Sequence, residues 1–380
     1  MRKCDYNTMR IVLTSGGSGG HIFPIIAVAR KIKKLIPEGE DLEFLFLGPD
    51  SGLEKEAMEK EMIPSKKILS GKLRRYFSPS YIPDLFKIPL GIIQSLWHLL
   101  YFMPEVVFSK GGYAGIPVVI AAWIYRIPVV IHESDITPGL ANQFAAKLAE
   151  KVLVSFSGAA NFFNPGKVEI TGNPIREEIA KGSREEALKI FGLSGNRKII
   201  LVMGGSQGAK IINESIIRIL PKLIKNFEII HITGNIDYEN AIQETGRLGI
   251  KVGREGYHPF PFLYEEIIHA LAAANLVISR AGASAIAEIA ANGKPAIIIP
   301  IKFSANNHQQ LNAYALAEAG AAVVDEQDNL GEDIFLKKIE EVMKNQELQY
   351  ELGERIKKFY DPAAAEKIAE LILTFNVRRS

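Results

Sequence analysis

The sequence predicts an α/β fold of two doubly wound parallel domains in tandem, and three observations carry that reading. Short apolar runs rich in β-branched residues alternate with helical patterns along nearly the whole chain, as parallel strands covered on both faces do. A strand that breaks into a glycine-rich turn and then a helix occurs twice, at Gly16-Gly17-Ser18-Gly19-Gly20 and at Gly204-Gly205-Ser206-Gln207-Gly208. The length of 380 residues fits two to three domains at roughly 150 residues each.

In chain order, the first set of strands is expected at Ile11–Thr14, Phe44–Leu47, Val106–Phe108, Pro128–Ile131 and Val152–Val154. Among the intervening helices, Ile25–Ile36 shows Ile25, Val28, Ala29, Ile32, Leu35 and Ile36 at the i, i+3, i+4, i+7 spacing of one buried face. The polar stretch Gly172-Asn173-Pro174-Ile175-Arg176 reads as a linker, giving domains of residues 1–175 and 176–360. The second set follows at Lys198–Met203, Ile229–Ile232, Leu276–Ser279, Ala296–Ile299 and Ala322–Val324. After Asp361-Pro362 breaks the chain, a last helix Ala363–Phe375 is expected, with residues 361–380 packing back on the first domain.

Hydrophobic residues make up 47% and charged residues 23%, which excludes a mainly disordered or collagenous chain. The single cysteine, Cys4, excludes an intrachain disulfide framework and a cysteine zinc cage. A formal net charge of +2 excludes a strongly basic nucleic-acid coat. The polar N-terminus lacks the apolar region of a secretory signal, and Cys4 follows no such run. The most hydrophobic stretch, Ile88–Met103, contains Gln94 and His98 and falls short of the roughly 20 residues of a spanning helix. A soluble, intracellular chain is expected.

Glycine turns between a parallel strand and a helix present backbone N–H groups at the helix's positive end, where phosphate oxygens bind. Neither turn here is a Walker A, and the dinucleotide fingerprint fails because Ile22 stands where its last glycine would be. A close packing turn is the plain alternative. In Ser279-Arg280-Ala281-Gly282-Ala283-Ser284-Ala285-Ile286-Ala287-Glu288, Gly282 permits a tight turn and Ser284 suits an N-cap. Glu288 lies four residues further on the same face, placed to accept hydrogen bonds from a ribose diol or simply to be solvated. His21 opens the helix after the first glycine turn, where a neutral imidazole could accept a proton or merely bond the turn. His132-Glu133 ends a strand and could touch substrate, or Glu133 could brace His132. Asn307-His308-Gln309-Gln310 offers amides and an imidazole suited to sugar hydroxyls. No D-x-D, H-E-x-x-H or His pair at ligand spacing occurs, so neither metal nor other cofactor is expected.

Between Lys66 and Lys87 stand six basic residues and one acidic, interleaved with aromatic and aliphatic side chains and followed by Ile88–Met103, together an apolar patch with a basic fringe. Lys72, Arg74, Arg75, Phe77 and Phe86 are the candidates for contact with an anionic inner leaflet. The alternative is a solvated basic loop before a buried core helix at Ile88–Met103.

Taken in order, GGSGGHIFP (16–24), GGYAGIP (111–117), HESDITPGLAN (132–142), GNPIR (172–176), GGSQGA (204–209), SRAGASAIAEIAANGKP (279–295) and NHQQLNA (307–313) resemble the MurG family. These are the transferases that move N-acetylglucosamine from UDP-GlcNAc to lipid-linked muramoyl-pentapeptide in peptidoglycan synthesis. The resemblance implies the GT-B fold, two Rossmann-like domains facing across a cleft. It also implies inverting, metal-independent transfer to the muramoyl C4 hydroxyl at the cytoplasmic face of the cell membrane.

By the same resemblance, Ala283, Ser284, Ala285, Ile286 and Ala287 surround the α-phosphate and ribose, and Glu288 takes the ribose hydroxyls. Ser206 and Arg176 contact the diphosphate, the backbone at Tyr264 pairs with uracil, and Gln309 and Gln310 read the sugar. Ser18, Gly19, Gly20 and His21 face the reacting centre, with His21 or, second, Glu133 as the base. Gly111, Gly112, Tyr113 and Asn142 hold the acceptor. Where the family often reads His-Glu-Gln-Asn, this chain has His132-Glu133-Ser134-Asp135, so the donor-sugar contact at Asp135 lacks an amide. The rival readings are another UDP-sugar enzyme of this fold, a diacylglycerol glucosyltransferase or UDP-GlcNAc 2-epimerase, and a non-catalytic nucleotide-sugar-binding subunit.

Overall fold

The computed structural model describes residues 8–16, 19–49, 52–71, 81–205, 208–302 and 307–376, with the side chains of 53 and 81–86 left out. The chain folds as two compact units, one of Met1–Arg176 with Pro362–Ser380 and one of Glu177–Asp361.

Among the described residues the first unit holds seven strands: β1 (Thr8–Thr14), β2 (Asp41–Gly48), β3 (Ser65–Lys67), β4 (Val106–Ser109), β5 (Val129–Glu133), β6 (Lys151–Val154) and β7 (Val168–Ile170). All pair in parallel, in the order β3-β2-β1-β4-β5-β6-β7. The central strands are apolar on both faces because helices cover both, and Ile11, Val12, Leu13, Val106, Val107 and Phe108 are all fully buried. One face packs under the helices Gly19–Leu35 and Ala364–Leu373, whose Ile22, Ile25, Ile32, Ile368 and Ile372 share one core. The salt bridge Lys31–Glu366 joins those two helices at 3.1 Å.

The second unit repeats the device with β8 (Lys198–Met203), β9 (Phe227–Ile232), β10 (Tyr257–Phe260), β11 (Leu276–Ser279), β12 (Ala296–Ile298) and β13 (Val323–Val324). Their order is β10-β9-β8-β11-β12-β13, again all parallel. Each sheet therefore has a switch point where the winding reverses, β1/β4 in the first and β8/β11 in the second. In such sheets ligands bind at the carboxyl edge of that point. The register brings the loops out level there, with Thr14 opposite Ser109 and Met203 opposite Ser279.

Several boundaries differ from the sequence expectation. The helix expected from Ile25 begins at Gly19 and runs through Pro24, because Ile22 extends its buried stripe back one turn. Strand β5 begins at Val129 rather than Pro128 and continues through His132 and Glu133. Strands β3, β7 and β10 were not expected at all; β3, β7 and β10 are edge strands, and Pro259 lies in β10, where a missing N–H is tolerated. No helix among the described residues is long and apolar enough to cross a membrane.

Candidate active site

At the first switch point, two backbone loops touch. The amide of Gly16 donates to the carbonyl of Gly111 at 2.7 Å, closing the turn after β1 onto the turn after β4. Gly112 has φ 86°, and a Cβ there would sit 2.6 Å from Gly16 Cα. Only glycine allows that approach. The imidazole of His21 lies against Gly16, where a Cβ would meet its Nδ1 at 3.4 Å. The structure thus brings His21, in the first turn of helix Gly19–Leu35, and the turn Gly111–Gly112 to the same residue, Gly16; Gly19 and Gly20 open that helix, and Tyr113 follows the turn. Ser18 lies outside the described residues.

The carboxylate of Glu133 is buried and committed to its own loop. It accepts from the amide of Asp135 at 2.9 Å, the amide of Gly139 at 3.2 Å and the side-chain amide of Asn142 at 2.8 Å. Burial, then the charge of Asp135, raises its pKa against those hydrogen bonds. The expectation that it might brace His132 is corrected, since Glu133 braces residues 135–142 instead. His132 donates from Nε2 to the carbonyl of Gly172 at 2.9 Å and accepts at Nδ1 from Lys110 at 2.7 Å. Burial, with Lys110 next, holds it neutral, its pKa well below the usual imidazole value. Asn142 lies against Gly111, and its Oδ1 is buried with no partner among the described residues. Arg176 is buried in this unit, its guanidinium 4.6 Å above the ring of Phe23.

At the second switch point, Gly204, Gly205 and Gly208 carry the chain from β8 into helix Lys210–Leu223; Ser206 lies outside the described residues. Gly208 has φ 78° and presses on the carbonyl of Thr233, leaving no room for a Cβ. A buried network anchors this helix: Asn213 donates to the carbonyl of Thr233 at 2.9 Å and to Asp237 at 3.0 Å. Its Oδ1 accepts from His231 Nε2 at 3.0 Å, while His231 Nδ1 accepts from Tyr257 at 2.9 Å. Burial lowers the His231 pKa to about 3, so the ring stays neutral.

After β11, the helix Ala283–Ala291 is capped by Gly282, not by Ser284, and the cap makes no side-chain bond. This corrects the expected cap: Ser284 stands at the second helical position, because the turn already completes at Gly282. The missing side chain leaves the helix's positive end to backbone N–H groups, the arrangement that receives an anion. Ser284, Ala285 and Glu288 are half-buried on one face, while Ala283, Ile286 and Ala287 are buried. Asn312 supports the turn by donating to the carbonyl of Ala281 at 3.0 Å. Gln309 accepts from the amide of Ile301 at 3.2 Å, and Gln310 stands beside it in helix His308–Glu318. The amide of Tyr264 is engaged by Glu266 at 3.0 Å, and its ring meets Phe262 edge to face.

Sequence reasoning missed two residues here. Arg280 ties the ends of β11 and β12 by donating to the carbonyls of Ile299 and Pro300 at 3.1 and 3.4 Å. Its burial lowers the guanidinium pKa to about 10. Lys110 is fully buried beside His132 and Asn173, and its only sequence signal is a lysine between an apolar strand and a glycine pair.

Lys72, Arg74, Arg75 and Phe77 lie outside the described residues, as does the side chain of Phe86. The stretch from Ile88, expected as part of an apolar patch with a basic fringe or else as a buried core helix, belongs as far as Phe102 to helix Tyr81–Phe102 and is buried on one side only. Ser95 and Leu99 face inward, whereas Leu90, Ile93, Trp97, Leu100 and Tyr101 are 51–65% exposed at helical spacing. Trp123, Ile124 and Tyr125 are exposed as well. Part of the two sets lines a shallow groove of about 480 Å³. Lys66 lies near His98 on this helix, close enough to reinforce the lowering of its pKa by burial.

Two doubly wound parallel sheets, each with a glycine turn at its switch point, define a GT-B-like protein. Residues 11–154 match the glycosyltransferase family 28 N-terminal domain, and residues 199–368 match the glycosyltransferase family 28 C-terminal domain. A UDP-N-acetylglucosamine–N-acetylmuramyl-(pentapeptide) pyrophosphoryl-undecaprenol N-acetylglucosamine transferase of Bacillus thuringiensis (strain Al Hakam) is 39% identical over 89% of this chain and 92% of its own length. A transferase of the same name from Clostridium perfringens (strain SM101 / Type A) is 39% identical over 89% of this chain and 91% of its own. Among solved structures, Acinetobacter baumannii MurG superposes with a TM-score of 0.70 at 25% identity, covering 96% of this chain and 99% of that one. A Neisseria meningitidis UDP-GlcNAc 2-epimerase reaches 0.67 at 16% identity over 96% of this chain and 100% of that one, a likeness of fold alone. The chain belongs to the MurG family of family 28 glycosyltransferases.

Proposed function

We propose that this chain transfers N-acetylglucosamine from UDP-GlcNAc to the C4 hydroxyl of a lipid-linked muramoyl-pentapeptide, with inversion at the anomeric carbon. The observation that carries this is the 39% identity with transferases of that activity, which runs through both units.

The geometry supports a division of labour. In the second unit, the helix at Ala283, whose cap Gly282 carries no side chain, and the turn Gly204–Gly208 offer N–H groups and helix dipoles to the donor's diphosphate. These stabilise the charge that grows on UDP as it leaves. Glu288, on the exposed side of the first turns, accepts from the ribose hydroxyls. Gln309 and Gln310 read the sugar. In the first unit, the turn Gly111–Tyr113 receives the acceptor's diphosphate, and His21 takes the C4 proton as the new O–C1 bond forms. Glu133, with both oxygens engaged, positions the 135–142 loop and is the weaker candidate for the base. Arg176, Asp135, Ser18, Gly19, Gly20, Ser206, Tyr264 and Asn142 complete the proposed contacts.

The apolar face of helix Tyr81–Phe102 provides the meeting place with the membrane. Five large side chains exposed on one helical stripe exceed what a monomer's surface ordinarily leaves in water, and a lipid interface would cover them. Exposed Lys66 and Lys67 of β3 add cations for anionic headgroups. The proposed location is peripheral, at the cytoplasmic leaflet.

UDP release measured with UDP-GlcNAc alone, and then with lipid-linked muramoyl-pentapeptide, tests the activity. Release that depends on the acceptor is expected. Conversion of UDP-GlcNAc to its C2 epimer without acceptor would instead make the chain an epimerase.

A further inference from the structure

Lys110 follows β4 directly, at the carboxyl edge of the switch point and next to Gly111 in sequence. Its side chain is 1% exposed. The ammonium donates to His132 Nδ1 at 2.7 Å, to Ser134 Oγ, and to Asn173 Oδ1 at 3.3 Å. These bonds join three segments: the end of β4, the residues leaving β5, and the stretch after β7. All three acceptors are neutral. Glu133 and Asp135 act on the ammonium from further away, and Glu133 is already engaged by the 135–142 loop.

A full charge held this deep by neutral dipoles is costly, and an apolar side chain of the same length would fill the space without desolvating an ion. Hydrogen bonding alone therefore does not account for a lysine here. The neighbouring turn does. Gly111 and Gly112 both have φ 86°, and a cation on the residue that leads into such a turn favours an anion resting on it.

We propose that Lys110 is a positioning residue for the acceptor: it fixes the Gly111–Gly112 turn, Ser134 and Asn173 in one frame, and its charge draws the acceptor's diphosphate onto that turn. This rests on the reading that the turn Gly111–Tyr113 receives the acceptor.

The charge makes the inference testable by pH. Burial, the largest effect, brings the Lys110 pKa down to about 8. An anion binds the ammonium form better than the amine, so acceptor affinity is full below that pH and declines as pH rises through it. Conversely, binding near pH 8 draws a proton into the protein. The groups packed around Lys110 are His132, Glu133 and Asp135. His132 is already neutral, and Lys110→Met, which leaves Glu133 and Asp135 in place, assigns the limb near 8.

The experiment uses the full chain and a water-soluble acceptor analogue with a short prenyl diphosphate. Lys110→Met removes the charge and the donors; Lys110→Gln removes the charge and keeps a donor. Both are expected to raise the acceptor KM about tenfold, equivalent to about 1.4 kcal/mol, with the UDP-GlcNAc KM within about twofold. Both should also lose the decline in acceptor kcat/KM above pH 8 that the parent shows. Calorimetry of analogue binding with UDP present, in two buffers of different ionisation enthalpy, should show proton uptake by the parent near pH 8 and none by Lys110→Met. This second measurement needs no turnover. A parent that binds no analogue refutes the acceptor reading, and this inference with it. A parent that binds and transfers without proton uptake overturns the inference alone. So do variants whose two KM values rise together with a fall in Tm, the mark of a merely structural lysine.

Discussion

Replacing Gly112 by alanine perturbs the first switch point at its tightest contact. The residue sits at φ 86° and ψ 157°, a region essentially reserved for glycine, so a side chain there costs about 1–3 kcal/mol in backbone strain. The new Cβ would stand 2.6 Å from Gly16 Cα and 2.8 Å from Gly16 N. Ordinary carbon contacts are about 3.5–4.0 Å, so one of the two turns must retreat by about 1 Å. A unit of this size loses about 2–4 °C of Tm per kcal/mol, so a fall of roughly 2–12 °C is expected without loss of the fold. Misplacement by 1 Å at a reacting centre costs on the order of 10²-fold in rate. Steady-state transfer should therefore show acceptor kcat/KM down about 100-fold, while calorimetry finds UDP affinity unchanged because the second unit is untouched. Gly52→Ala, where a Cβ meets nothing within 4 Å, serves as the control and should match the parent. Parent-like transfer by Gly112→Ala would refute the assignment of this turn to the acceptor.

Three further outcomes follow from the same assignments. Glu288→Ala should weaken UDP-GlcNAc binding by about 1.5–3 kcal/mol with little change in Tm, since a charged acceptor for the ribose diol is lost; unchanged affinity in calorimetry would make Glu288 a surface residue. His21→Ala should lower kcat about 10²–10⁴-fold and leave the UDP-GlcNAc dissociation constant nearly as it was; normal turnover at saturation would remove His21 from proton transfer. The double substitution Ile93→Glu and Trp97→Glu, at exposed positions, should leave transfer to a soluble acceptor unchanged and reduce sedimentation with anionic vesicles at least tenfold. Vesicle binding equal to the parent's would place the membrane contact elsewhere.

What the sequence disclosed, and what it hid, has physical causes. The central strands were legible because both faces are buried, so Val106–Phe108 and, after Lys198, Ile199 to Met203 are unbroken apolar runs. The edge strands were not. Ser65–Lys67 is mostly polar and Tyr257–Phe260 carries a proline, both tolerated where a strand lacks a second neighbour. The glycine turns announced the switch points, yet the cap of helix Ala283–Ala291 went to Gly282 because turn geometry, which a propensity for serine caps ignores, decided it. Lys110 carried no motif. Its significance arises only when β4 and β5 pair and the stretch after β7 brings Asn173 to it, a long-range arrangement no local pattern encodes. The exposed stripe at Leu90, Ile93 and Trp97 was legible only as part of an apolar stretch, because hydropathy alone does not separate an apolar face turned to the core from one turned outward.

The central claim is that this chain moves one sugar from nucleotide to lipid. It is tested most directly by incubating the protein with UDP-GlcNAc and lipid-linked muramoyl-pentapeptide, then extracting the lipid product for mass spectrometry and proton NMR. The account predicts a mass increase of one N-acetylhexosamine residue, joined at the muramoyl C4 with a β-anomeric proton, and one UDP released for each. A lipid that keeps its original mass while UDP-GlcNAc is consumed, or a product joined with the α configuration, would contradict it.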